Sequence, residues 1–243
     1  MVIRRRRKNK FVEVVPDVLK ATHTWGCNVY LVTTPGLAFI DTGFPLDSKT
    51  LVDYVASIGP QRPEWLVATH CHLDHTGSMH RLKEAFGSKI AAHEDDAGVM
   101  EGKVPYMKFK LDPLHAVYYK VLGPLYPYEY VDVDRRLADG EVLDLLGGLE
   151  VVSVPGHTDG SIALYQRERR LLFTGDTIRN EGGILEGPPP QFTPRMDEAF
   201  DGIERRIMAL DFDVLLPGHG DPVIGGAHEA VGRMLAEHER ETR

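Results

Sequence analysis

The run His70-Cys71-His72-Leu73-Asp74-His75 packs three imidazoles and a carboxylate into six positions. It follows the apolar stretch Trp65–Thr69, which reads as a short strand. At a strand's end, residues i and i+2 point the same way, so His70 and His72 are placed to share one ion. Asp74 and His75 fall in the turn beyond, where the curling chain presents them to a second ion nearby. Imidazole with a hard carboxylate suits zinc, iron(II) or manganese(II) rather than a structural thiolate site. A chain built around such a run must bring further ligands to the same strand end.

Three positions meet that demand. His157 lies in Pro155-Gly156-His157-Thr158 after the strand-like Glu150–Val154. Asp176 lies in Gly175-Asp176-Thr177 after Arg170–Thr174, and His219 in Pro217-Gly218-His219-Gly220 after Val214–Leu216. Each sits on a glycine-bearing loop, where the missing side chain lets backbone approach an ion closely. Five histidines and two aspartates suffice for two metals with one bridging carboxylate. Cys71 alternates with His70 and His72 and is expected to face away from the ion they share. His93, at another strand end, reads as a helix cap or a rim residue.

The rest of the pattern supplies a scaffold. Phe11–Pro16, Asn28–Thr33, Leu37–Ile40, Lys89–Ala92 and Ser161–Gln166 read as strands, with a turn at Pro35-Gly36. Pro45–Ile58 reads as a helix on Leu51, Val52, Val55 and Ile58, as do Ser78–Phe86, Pro194–Leu210 and Ala227–Arg243. Glu181–Pro194 is a Gly/Pro-rich loop. Strands followed by a helix, twice over, predict two packed sheets with helices outside, in one domain over residues 11–243. Met100–Tyr130 holds six of the nine tyrosines and reads as an insertion. It is either a packed helical element or a lid, with Tyr126 and Tyr128 as candidate substrate contacts.

Composition narrows the function. At 42% hydrophobic residues, disorder is excluded. Two cysteines exclude a disulfide framework and permit a reducing compartment. No run approaches the roughly 18 apolar residues of a membrane span. Residues 11–20 carry charges where a signal peptide would be apolar, so a cytoplasmic protein is expected. Six of the 28 basic residues fall within the first ten positions, so the formal charge of −8 becomes −14 for the remainder. That acidic body makes nucleic acid a poor partner, and residues 1–10 read as a solvated basic tail. The expected partner is a small-molecule substrate.

Five separated motifs, Phe39-Ile40-Asp41-Thr42-Gly43, the His70–His75 run and the loops of His157, Asp176 and His219, fall in one order between about Asn28 and Asp221. In these the chain resembles the metallo-β-lactamase-fold hydrolases, specifically their glyoxalase II-like binuclear branch. The resemblance implies an αββα sandwich with the site at one edge of two sheets. It implies two divalent ions, zinc first with iron or manganese as alternatives. His70, His72 and His157 would hold one ion, Asp74, His75 and His219 the other, and Asp176 would bridge. Asp41 would orient a ligand or the turn.

The resemblance further implies cleavage of a small ester-like bond, a thioester or a lactone, by a metal-bridging hydroxide, with Asp74 and Asp176 in catalytic roles. Asp176 and the absence of a signal peptide separate the chain from true β-lactamases of this fold. His75 and His219 separate it from the mononuclear iron persulfide dioxygenases, which remain an alternative, as does a phosphodiesterase or RNase. Glyoxalase II carries a C-terminal helical domain with basic glutathione contacts, whereas only 67 residues follow Asp176 here, so the resemblance leaves open whether glutathione is part of the substrate.

Overall fold

The computed structural model describes residues 11–106 and 128–242. The basic residues 1–10 and Tyr126 lie outside the described residues.

Two-residue periodicity on doubly buried strands organises the molecule. The first sheet runs in spatial order β1 (Phe11–Val15), β2 (Val18–Ala21), β3 (Tyr30–Val32), β4 (Leu37–Ile40), β5 (Pro63–Val67), β6 (Lys89–His93) and β7 (Arg135–Leu137). It is antiparallel from β1 to β4 and parallel from β4 to β7. The second contains β8 (Val142–Leu143), β9 (Leu149–Ser153), β10 (Ile162–Gln166) and β11 (Leu171–Gly175). A separate hairpin, β12 (Arg179–Glu181) and β13 (Ile184–Glu186), comes next. β14 (Val214–Pro217) and β15 (Val223–Ile224) then complete the second sheet beyond β11.

Alternate residues face opposite cores. On β4, Ala38 and Ile40 share a core with Leu164 and Phe173 of the second sheet, while Leu37 and Phe39 belong to the outer one. That outer face is covered by α1 (Ser48–Ser57) through Leu51 and Val55 and by α3 (Met79–Phe86) through Met79 and Leu82. Between them in sequence lies the single turn α2 (Leu73–Thr76), and α4 (Glu94–Met100) follows β6. On the other side Ala163, Tyr165 and Leu172 pack beneath α5 (Met196–Gly202), its π-turn extension Ile203–Ile207, and α6 (Ala227–Thr242). The architecture is α/β, an αββα sandwich.

Strand direction then decides where the loops collect. β4, β5 and β6 are mutually parallel, so the segments after them leave one edge of the first sheet. β10 is antiparallel to both β9 and β11, and β11 is parallel to β14. The C-terminal ends of β9, β11 and β14 therefore share one edge of the second sheet. Among the described residues no helix is long and apolar enough to cross a membrane.

Several elements depart from the sequence reading. β5 ends at Val67, not Thr69, because the Thr69 N–H is taken by the Asp41 carboxylate instead of a strand partner. His70 and His72 thus lie on a loop, and His72 is the residue just before α2. The stretch read as a loop over Glu181–Pro194 contains half of the β12–β13 hairpin, turned by Gly182-Gly183 with both φ positive. The helix expected over Pro194–Leu210 is α5 followed by the π turn. β2, β7, β8 and β15 were not foreseen.

Candidate metal centre

Every predicted ligand follows a strand whose C-terminal end reaches the shared edge. His70, His72 and His157 each place a ring nitrogen within one cluster whose donor atoms all lie within 4.8 Å of one another. The same holds for Asp74, His75 and His219, and for His70, His75 and Asp176. The three sets overlap at His70 and His75, forming one continuous centre. His70, His72, His75, His157 and Asp176 are buried, while the side chains of Asp74 and His219 are 38% and 28% exposed, which makes theirs the open side.

Hydrogen bonds behind the rings fix which nitrogen faces inward. Asp41 Oδ2 lies 2.8 Å from His75 Nδ1 and accepts its proton. The Thr69 hydroxyl donates to Asp41 Oδ2 at 2.8 Å, so its oxygen accepts from His70 Nδ1 at 3.1 Å. The Thr193 hydroxyl donates to Pro189 O at 2.7 Å, so its oxygen accepts from His157 Nδ1 at 2.9 Å. With each Nδ1 proton committed outward, Nε2 is the nitrogen that His70, His75 and His157 turn into the centre.

There they face one another. His70 Nε2 and His157 Nε2 are 3.2 Å apart, and His75 Nε2 and His219 Nε2 are 3.3 Å apart. Two nitrogens bound at about 2.0–2.1 Å to a tetrahedral ion stand roughly 3.3 Å apart. The donor set fits divalent ions: converging lone pairs at this spacing repel without a cation between them and bind with one.

Asp176 lies between the groups. Its Oδ1 is 3.1 Å from His75 Nε2 and 3.2 Å from His219 Nε2, and its Oδ2 is 3.6 Å from His157 Nε2. Asp74 Oδ2 is 3.3 Å from His219 Nε2. Burial, reinforced by neighbouring imidazoles, pulls His70 well below the ordinary histidine range and His157 down to about 3. Burial takes His72 to about 4. These rings stay neutral and ligand-competent at neutral pH. Burial would raise the two carboxylates, but His219 and His75 outweigh it at Asp176, held well below its usual value, and His75 does so first at Asp74, held at about 2. Both remain anionic.

The frame includes residues that sequence reasoning missed. Asn28 donates through Nδ2 to Pro217 O at 2.9 Å and Gly220 O at 2.6 Å, clasping the His219 loop. Gly218 is required there, since a Cβ would come within 2.8 Å of the Gly175 backbone and of His75 Cε1. Cys27 joins Asp41 and His75 in a further cluster, but burial pushes its thiol up to about 12, so it remains a neutral thiol. Thr193 and Asp96, behind the His157 loop, carried no spacing signal. Tyr128, expected to touch substrate, has its hydroxyl 3.0 Å from Cys71 O and 3.1 Å from Thr76 Oγ1. These bonds tie it to the His70–His75 run. Cys71 packs into the apolar layer beneath α3, and His93 precedes α4 with its Nδ1 accepting from Asp95 N.

A model of the metallo-beta-lactamase superfamily matches residues 24–219, spanning all seven of the clustered histidines and aspartates. The chain belongs to this superfamily. It is a metal-dependent hydrolase of the metallo-beta-lactamase fold. It is similar to the probable metallo-hydrolase YflN of Bacillus subtilis, 28% identical over 82% of each chain. It is 30% identical to the hydroxyacylglutathione hydrolase GloC of Haemophilus influenzae, over 64% of this chain and 68% of that one. To the human acyl-coenzyme A thioesterase MBLAC2 it is 28% identical, over 74% of this chain and 67% of that one. These likenesses fit the glyoxalase II-like branch of the superfamily. Among solved folds, the subclass B3 enzyme BJP-1 of Bradyrhizobium japonicum superposes with a TM-score of 0.69 at 22% identity, covering 96% and 92% of the two chains. TTHA1623, in a di-iron-bound form, does so with 0.64 at 25% identity, covering 93% and 96%.

Proposed function

We propose that the chain hydrolyses thioesters using two divalent ions, zinc first among them. His70, His72 and His157 would hold one ion, Asp74, His75 and His219 the other. The single observation that carries this reading is Asp176, whose two oxygens turn toward different imidazole groups, Oδ1 to His75 and His219 and Oδ2 to His157. A carboxylate so placed can serve both ions at once. The di-iron form of TTHA1623 supports the count of two.

Ions held there would supply Lewis acidity and a water whose pKa falls from about 15.7 toward about 7. The chain's residues supply everything else. Asp41, Thr69 and Thr193 hold the imidazoles in one tautomer, so no reorganisation is needed during turnover. Asp74, on the open side, has an oxygen placed to accept a proton and return it to the leaving group. A thiolate leaves readily and needs little such help, which suits a partly exposed aspartate with a depressed pKa. The names of GloC and MBLAC2 point the same way, since both describe enzymes acting on acyl-sulfur bonds.

The test is a panel on purified full-length protein: an acyl-coenzyme A, an acylglutathione, a lactone, a phosphodiester and a β-lactam. One of the thioesters is expected to show the highest kcat/KM. A phosphodiester turned over faster than either thioester contradicts the reading.

A further inference from the structure

Asp96 stands in the first turn of α4, just after β6, and only 2% of it is exposed. Burying a carboxylate is costly unless donors surround it. Three do, and all belong to the metal loops. Cys71 N–H and Thr158 Oγ1 each donate to Oδ2 at 2.8 Å, and Gly160 N–H donates to Oδ1 at 3.0 Å. Cys71 lies between His70 and His72, and Thr158 follows His157. One carboxylate thus ties together the two loops that form the three-imidazole cluster. The contact is close enough to dictate sequence: a Cβ on Gly160 would fall 2.7 Å from the Cβ, Cγ and backbone N of Asp96.

We propose that Asp96 is a positioning residue for one ion only, setting the distance between the His70–His72 segment and the His157 loop. A second buried carboxylate, Asp41, holds the same run through Thr69 and His75. The His70–His75 run is therefore held by two buried carboxylates, with Asp96 joining it to the His157 loop. The inference rests on the two-ion reading above. Asparagine cannot replace Asp96 in this role. Both oxygens face donors, so either orientation of an amide turns its NH2 against an N–H or O–H.

The test is zinc binding by the full chain, with stepwise affinities read by competition with a chromophoric chelator and unfolding of the metal-free protein followed alongside. The wild type is expected to bind two ions. Asp96→Asn should weaken one of them by about 10–100-fold and leave the other within about twofold. Gly160→Ala should do the same, because it displaces Asp96. In a His157→Ala background, Asp96→Asn should add no further loss, since both act on the same ion. Thr158→Val, which removes a single bond, should weaken that ion less, and it decides the matter if Asp96→Asn does not fold. Wild-type affinities in Asp96→Asn or Thr158→Val, or equal loss of both ions, overturn the role of Asp96 while the two-ion reading stands. A wild type that binds one ion overturns that reading first.

Discussion

Asp41 Oδ2 lies 2.8 Å from His75 Nδ1, and the same carboxylate takes both the N–H and the hydroxyl of Thr69. One side chain therefore ends strand β5, orients the first imidazole of the run through Thr69, and fixes the tautomer of the last. Asp41 itself adopts φ 56, a left-handed conformation that non-glycine residues rarely visit, at the sharp exit from β4.

Asp41→Ala is expected to leave both sheets intact and lower metal affinity or activity by about 10–100-fold, the usual effect of losing a group behind a ligand. Elemental analysis after dialysis, paired with kcat/KM, checks this. Full metal content and full activity would show that the His75 tautomer needs no partner.

Asp176→Ala removes the carboxylate that faces both halves of the centre. The protein should fold, retain fewer than two ions, and lose activity by orders of magnitude. Near-normal turnover with two ions bound contradicts its bridging position.

Thr193→Val deletes the acceptor for His157 Nδ1 while keeping the side-chain shape. The ring is then free to present the wrong nitrogen, and affinity for the ion held by His157 should fall by about tenfold or more. Thr193→Ser restores the hydroxyl and should restore binding.

Stability of the metal-free protein should peak near pH 6.5. Burial holds His72 at about 4 and His157 at about 3, below the ordinary value of 6.5. Between pH 6.5 and about 4 the unfolded chain binds these protons and the folded one does not, so stability falls with falling pH. His219 is shifted the other way: burial opposes its charge, but Asp176 and Asp74 raise it. Its contribution is present below pH 6.5 and is lost as pH rises through its folded value. Denaturant midpoints across pH 4–9 in the presence of chelator measure both limbs. A midpoint that climbs from pH 6.5 down to pH 4.5 contradicts the buried neutral imidazoles.

The clustering of these seven side chains was legible because each sits beside its own local signal. His70, His72, Asp74 and His75 share one run, and His157, Asp176 and His219 follow apolar stretches on glycine loops. Behind them Asp41 was legible through the Phe39–Gly43 motif, but Asp96 and Asn28 were not. Asp96 lies in Glu94-Asp95-Asp96, which reads as an ordinary acidic helix start, and its partners are 25 to 64 residues away. Asn28 reaches residues 189 and 192 positions distant. Contacts of that separation leave no periodicity to read. Strands β7 and β8 escaped notice because three and two residues are too few for an alternation to register. Tyr128 carried a composition signal that pointed to the tyrosine-rich segment without naming its partners, Cys71 O and Thr76 Oγ1.

The central claim is a centre built for two ions, and counting them tests it most directly. Elemental analysis of the purified full-length protein, combined with turnover of His219→Ala, should give close to two transition-metal ions per chain and a severe loss of activity in the variant. One iron per chain, with His219→Ala as active as wild type, contradicts it.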